Sequence, residues 1–565
     1  MTQRSRDDVI QQDVRDLHRL GYAQELFRSM GGFSNFAISF SIISILTGAV
    51  ILYDYGLAWA GTAASLIGWP LVTIFVLAIA ASMAEVASAY PTAGGLYYWA
   101  SKMKNKDWGW WTAWLNLIGQ FAIVAGINYA AALFLNATIL TPLTGGAYSN
   151  TTIIFGDPAF GAEGPALNGA LVTMAGLLAI ELALNIAGIR VVAFLNQVSV
   201  WWHIAFVVAI VGSLFILGTQ STATDAGLDL FAIQPLDTLG AWDNTFPVGS
   251  DNPWFSFQYG PAISYPIAFA FLFSLLQANW TYTGYDASAH VAEETVGART
   301  ASAWGIFLSV AVSAVVGYIF LFALGTHLPD LSPLFGQLDD AATYSQYYFG
   351  DGAAVLFILG ENLDAGLAGV LGGGIALAMC FCGLSSVASA GRMLYAFSRD
   401  DGLPGSGWLK KVSRRYRTPA NALTGMVVGA FILTFLAFWV GRGIAVVIVT
   451  AVSTIFLYAA YGIPIYLGLT TDAWKSERVW SLGAWSKLVA IVALIWIVVL
   501  MVLFSFPTSG NISWPFMVII VLFLVVYYFG WARRNFRGPR VMGRDEELTE
   551  LEREFDSEAA KFRAG

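Results

Sequence analysis

Trp280-Thr281-Tyr282-Thr283-Gly284-Tyr285-Asp286 interrupts an otherwise apolar stretch, and Ile45-Leu46-Thr47-Gly48-Ala49 interrupts another near the amino terminus. In hydrocarbon an unpaired backbone amide or carbonyl is costly, so a helix breaks there only where protein, water or a ligand satisfies the freed groups. Breaks in corresponding positions of two halves of a chain point to a midplane binding site of the kind secondary transporters build.

The surrounding composition sets the solvent. Of 565 residues, 57% are hydrophobic and 12% charged, against about 25% charged in soluble domains. Apolar runs long enough for roughly 30 Å of hydrocarbon recur, which predicts an all-α membrane protein of about twelve spans in a lipid bilayer, not a β-barrel. Nucleic acid is excluded as a partner, because the formal charge is −8. Cys380 and Cys382 stand two apart, on different helix faces, and offer neither a disulfide frame nor metal spacing. The chain has no phosphate loop, zinc pair or serine-nucleophile elbow, so neither an enzyme, an ATP-driven pump nor a cofactor is expected.

Cation spacing orients the spans. No Lys or Arg lies between Arg28 and Lys102, Lys106 and Arg190, Arg190 and Arg299, or Arg299 and Arg392, and each gap holds two apolar runs. All these cations therefore share one face, the cytoplasmic one by the positive-inside rule, and only Arg442 falls outside the pattern. The long loops opposite, residues 140–165, 218–262 and 326–352, carry acids such as Asp157, Asp237 and Asp339 and no cation. Positive-inside bias accounts for them; an acidic vestibule that gathers cationic amines is the alternative. The first thirty residues are charged and lack the apolar core of a signal peptide. The expected organisation is a cytosolic segment 1–32, a membrane domain 33–535 and a cytosolic tail 536–565, with both termini cytoplasmic. Arg544 to Phe562 has Leu548, Leu551 and Phe555 at helical spacing and predicts a short amphipathic helix.

Five spans precede the second break. Five is odd, so a second set of five enters from the opposite side, as an inverted repeat requires, with broken spans 1 and 6 as first members. Two further spans end the membrane domain.

Within the first break, free amides after Gly48, on Ala49 and Val50, would start a half-helix whose dipole favours a carboxylate. In the second, carbonyls near Thr281, Tyr282 and Thr283 suit an ammonium group. Close packing is the alternative for a lone Gly48. Asp286 reads either as a coupling or amine-binding acid or as an N-cap or first-turn acid of the half-helix beginning near Gly284. Trp280 and Tyr285 are candidates for an aromatic wall, or for plain packing. Glu85, near the inner end of span 2, suggests a structural or gating hydrogen bond. His203 in span 5 is either a neutral core imidazole or a proton-coupling group. Ser385, Ser386 and Ser389 in span 8 either pack helices or supply oxygens to sodium.

Three motifs tie these readings to a family. EVASAYPTAGGLYYW from Glu85 to Trp99, GYDASAHVAEET from Gly284 to Thr295 and GRMLYAFSRDDGLP from Gly391 to Pro404 resemble the amino acid-polyamine-organocation permeases. LGYAQELFRSMGGFSNFAISFS, near the amino terminus, is similar to their amino acid/choline transporter branch. The resemblance spans nearly the whole chain. It implies a LeuT-like fold of five plus five spans with two more at the carboxy terminus. It also implies secondary transport of an amino acid or small amine such as γ-aminobutyrate, choline or a polyamine. Two departures stand out: many members place Gly-Ser-Gly where this chain has Leu46-Thr47-Gly48, and several carry a span 5 lysine where this chain has Trp202 or His203.

The sequence reading is therefore a cell-membrane importer coupled to protons, with sodium as the alternative ion. Thr47, Gly48 and Ala49 would hold a carboxylate, and Tyr282, Thr283, Gly284 and Asp286 an amine. Asp286 or His203 would carry the proton. An exchanger of the same fold and a non-transporting ligand sensor are the rival readings.

Overall fold

The computed structural model describes residues 5–155, 167–218, 230–233, 267–329, 353–441, 445–505 and 513–564. The acids of the three long loops, and Arg442, lie outside them. Among the described residues eleven helices are long and apolar enough to cross a membrane. A twelfth crossing is divided into Ile267–Ser274, Leu276–Thr281 and Ala287–His290. Together these make the twelve spans expected, with span 6 the divided one.

Span 1 runs as Gly32–Ile43, Ile45–Ile51 and Tyr53–Ala60. Span 2 is Gly68–Ala89, span 3 Lys106–Leu135, span 4 Gly169–Ile186 and span 5 Ile189–Leu217. Spans 7 to 10 are Ala298–Thr326, Ala365–Arg399, Ala420–Gly441 and Ala445–Thr470. Spans 11 and 12, Ser486–Ser505 and Ser513–Tyr527, lie against span 10, and span 11 also against span 2.

The packing carries the internal repeat. Span 3 lies on span 10 as span 8 lies on span 5; span 3 meets span 9 as span 8 meets span 4; span 1 meets span 5 as span 6 meets span 10. Spans 2 and 7, 3 and 8, and 4 and 9 pair with each other. Exchanging each span for the one five places away maps this set of contacts onto itself. Spans 1 and 6 thereby become equivalent, and both are broken.

The cation-rich face is covered by the ends of the chain. A helix Arg6–Arg19 precedes span 1, and the expected amphipathic tail forms the helix Asp545–Ala564. The two meet where His18 stands 3.1 Å from Asp545 and 2.8 Å from Glu552, and the Met542 amide donates to the Gly21 carbonyl at 2.8 Å. Asp13 accepts from the amides of Gly297 and Ala298 and so caps span 7.

Candidate functional site

The first break lies one turn earlier than expected. The helix ends at Ile43, Ser44 adopts φ +32° and ψ 90°, and a new helix starts at Ile45. A serine in that region carries roughly 1–3 kcal/mol of backbone strain, which the surroundings must offset. Ser44 Oγ lies 2.7 Å from His203 Nε2 and 2.6 Å from Thr47 Oγ1, and Cys382 Sγ donates to the carbonyl of Ile42 that the break frees. Gly48 sits inside the helix, its amide bonded to Ser44 O at 2.9 Å. A Cβ there would be 2.7 Å from Thr281 Cα, so this glycine serves the close approach of spans 1 and 6. Ala49 and Val50 are mid-helix as well. The first-turn amides without a helical partner belong to Ile45 and Leu46.

The second break is where the sequence puts it. The chain leaves helix after Thr281, passes Gly284 at φ +91° and resumes at Ala287. Gly284 meets both demands that select glycine: its φ is positive, and an added Cβ would stand 2.2 Å from Ile42 of span 1. Trp280 Nε1 donates to Ser453 Oγ at 2.9 Å, and the Tyr282 hydroxyl lies 2.6 Å from Thr73 Oγ1 while its ring rests on Trp69. Thr283 donates to the Trp280 carbonyl through both its hydroxyl and its amide, so that carbonyl is occupied. Tyr285 packs on the Tyr461 ring with centroids 5.1 Å apart, and its buried hydroxyl has no hydrogen-bond partner among the described residues.

Asp286 occupies the cap position of Ala287–His290, but its side chain makes no cap bond. The capping alternative is thereby corrected. The carboxylate instead accepts from the Tyr461 hydroxyl at 2.9 Å, Gln120 Nε2 at 3.1 Å and Asn116 Nδ2 at 3.3 Å, and lies 3.2 Å from His290 Nε2. Spans 3, 6 and 10 thus converge on one fully buried acid. Buried ionisable groups are tolerated when so surrounded.

The other predicted residues divide. His203 donates from Nδ1 to the Ser199 carbonyl at 2.8 Å and faces the Ser44 hydroxyl with Nε2, which satisfies a neutral imidazole completely. Glu85 accepts from Arg478 at 2.8 Å, the Leu482 amide at 2.8 Å and Ser486 Oγ at 2.6 Å, so it ties span 2 to the connection between spans 10 and 11. Ser385 donates to Phe381 O and Ser386 to Gly383 O, both within span 8, and Ser385 also meets Asn196 of span 5. The Ser389 hydroxyl is buried without a partner among the described residues.

Beyond the break, sequence reasoning missed a clasp on the cation-rich face. Glu293 makes a bidentate pair with Arg399 at 3.0 Å, Glu294 pairs with Arg392 at 2.5 Å, and the Ala93 amide donates to Glu293 at 3.0 Å. Asp400 accepts from the hydroxyls of Tyr22 and Tyr97 and from the Arg540 amide. Burial raises the Asp400 carboxyl above the ordinary range, opposed by Arg399 and these donors. The signal was present: Asp286, His290, Glu293 and Glu294 fall three or four apart in one motif. Asn116 and Gln120 likewise stand four apart in an apolar span.

The chain also matches known proteins in sequence over most of its length. The sequence model of the amino acid permease family fits residues 30–527. The chain belongs to the amino acid permease family. It is 32% identical to the amino-acid permease BAT1 of Arabidopsis thaliana, over 93% of this chain and 95% of that protein. It is 31% identical to a BAT1 homolog of Oryza sativa subsp. japonica, over 93% and 94%. A putative polyamine transporter of Candida albicans is 25% identical over 97% and 93%. The permease is a multi-pass membrane transporter of the amino acid-polyamine-organocation type, and not an enzyme.

Proposed function

We propose that this permease imports an amino acid or a related small amine across the plasma membrane, driven by protons, with the chain termini in the cytoplasm. The substrate lies between the breaks of spans 1 and 6. A carboxylate would meet the first-turn amides of Ile45 and Leu46, at the positive end of a half-helix. An ammonium group would lie by the carbonyls of Thr281 and Tyr282 and by Asp286. Trp280, Tyr282 and Tyr285 would wall the site. One observation carries this reading more than any other: Tyr285, a residue of the second break, has a buried hydroxyl with no hydrogen-bond partner among the described residues, and a group left so calls for a ligand or water. The plant relatives' names support an amino acid, and the fungal relative's name a polyamine.

A thermal-shift screen of purified permease against amino acids, γ-aminobutyrate, choline and polyamines tests the class. A ligand present at 100 times its Kd stabilises the folded state by about 2.7 kcal/mol. A hit that Tyr285→Phe weakens supports the site; a hit indifferent to Tyr285→Phe and Gly284→Leu places the ligand elsewhere. Efflux of loaded substrate only when external substrate is present would identify an exchanger.

A further inference from the structure

His290 has no assigned part in the reading above, yet its hydrogen bonds fix a proton. Its Nδ1 lies 3.0 Å from the carbonyl oxygen of Ala93, which can only accept, so Nδ1 carries hydrogen. Its Nε2 lies 3.2 Å from Asp286 Oδ2. A neutral imidazole beside an ionised Asp286 would set two lone pairs against each other. One proton therefore sits in that contact, on Nε2 of an imidazolium or on Oδ2 of a carboxylic acid. His203 needs no such proton, since the Ser44 hydroxyl supplies the hydrogen its Nε2 accepts.

The surroundings make this proton consequential. Asn116 and Gln120 of span 3 and Tyr461 of span 10 face Asp286 as uncharged donors, and Tyr285 lies beside it. The acids one turn further on, Glu293 and Glu294, are held by Arg399 and Arg392. His290 packs directly on the turn that joins span 2 to the helix Leu96–Met103: a Cβ on Gly95, at φ +46°, would stand 3.1 Å from His290 Cε1. Ala93 is gripped from both sides, its carbonyl by His290 and its amide by Glu293.

We propose that Asp286 and His290 together are the proton-binding site of the transport cycle, holding one proton while the turn at Ala93 is docked and releasing that turn when the proton leaves. The step breaks the Nδ1–H bond of the imidazolium and hands that proton to water; where the shared proton starts on Oδ2 it passes to Nε2 first, one O–H bond breaking as one N–H bond forms. The remaining hydrogen on the imidazole then serves the ionised Asp286 through Nε2, because a hydrogen bond to a charged acceptor is the stronger, and Ala93 loses its donor. The site's role in transport rests on the proton-driven reading; the latch itself does not.

Thr92 is buried beside Ala93, and its hydroxyl bonds to nothing described, so Thr92→Cys reports docking with little disturbance. With Cys380 replaced by alanine and Cys382 by serine, which keeps a donor for the Ile42 carbonyl, alkylation of Thr92→Cys in purified permease should quicken as pH rises, approaching tenfold per unit where one proton is linked. His290→Gln cannot titrate and should flatten that slope. Asp286→Asn, able to donate to a neutral His290, should keep labelling slow at every pH. A flat profile in the unsubstituted pair, or an unchanged slope in both variants, would overturn the proposal. A proton-sensitive dye in proteoliposomes reads the driving ion separately: a steep labelling profile without substrate-linked proton flux would leave the latch and remove the proton-driven reading.

Discussion

Gly48 of span 1 and Thr281 of span 6 touch backbone to side chain: a Cβ on Gly48 would stand 2.6 Å from Thr281 Oγ1 and 2.7 Å from its Cα. Thr281 cannot swing away, because its hydroxyl is bonded to Gln277 O at 2.6 Å, and Gln277 in turn donates to Ala49 O. The two broken spans are thus locked one turn from their breaks. Gly48→Val should force them apart, at a cost of about 1–3 kcal/mol for overpacking. Its melting temperature should drop, and substrate binding should weaken more than in an equally destabilised variant far from the breaks. Binding that tracks stability alone would reduce the contact to packing.

Asp13, outside the membrane, gives a pH dependence with a definite sign. Burial raises its carboxyl above the usual carboxylate range, against the pull of Arg28 and the amides of Gly297 and Ala298. The folded state therefore holds the proton more tightly than the unfolded chain. The linked stability is full below the unfolded value and is lost as pH rises through the folded one. In detergent, Asp13→Asn should gain on the parent protein as pH climbs through that window, measured as the difference in melting temperature. A difference that shrinks instead would reverse the sign.

Cation spacing predicts an orientation that labelling can check. Cysteine at Arg415, exposed in the connection between spans 8 and 9, should resist an impermeant maleimide on intact cells, while cysteine at Ser250 should react. The background is again free of Cys380 and Cys382. The opposite pattern would invert the topology.

Much of this was legible beforehand because hydrocarbon leaves few options. The twelve crossings follow from length and apolarity, and the break at Gly284 from a glycine amid polar residues. The break at Ser44 was not, because Ser41, Ser44 and Thr47 look alike in sequence. What singles out Ser44 is His203, 159 positions away, reaching its hydroxyl. His290 was passed over for a related reason. Its i+4 spacing to Asp286 can be read, but Ala93, which fixes its hydrogen, comes from another span's turn. Glu85 is satisfied by Leu482 and Ser486 from far along the chain and Ser386 by Gly383 in its own span, and sequence offered no way to tell such residues from free ones.

The most direct test of the central claim is uptake of radiolabelled amino acids, γ-aminobutyrate, choline and polyamines into proteoliposomes under an imposed inward proton gradient without sodium. The account predicts that at least one is accumulated above equilibrium. It also predicts that Gly284→Leu, whose side chain would collide with Ile42, reaches the membrane but accumulates none. Accumulation undiminished in Gly284→Leu, or uptake indifferent to the proton gradient and dependent on sodium, would contradict it.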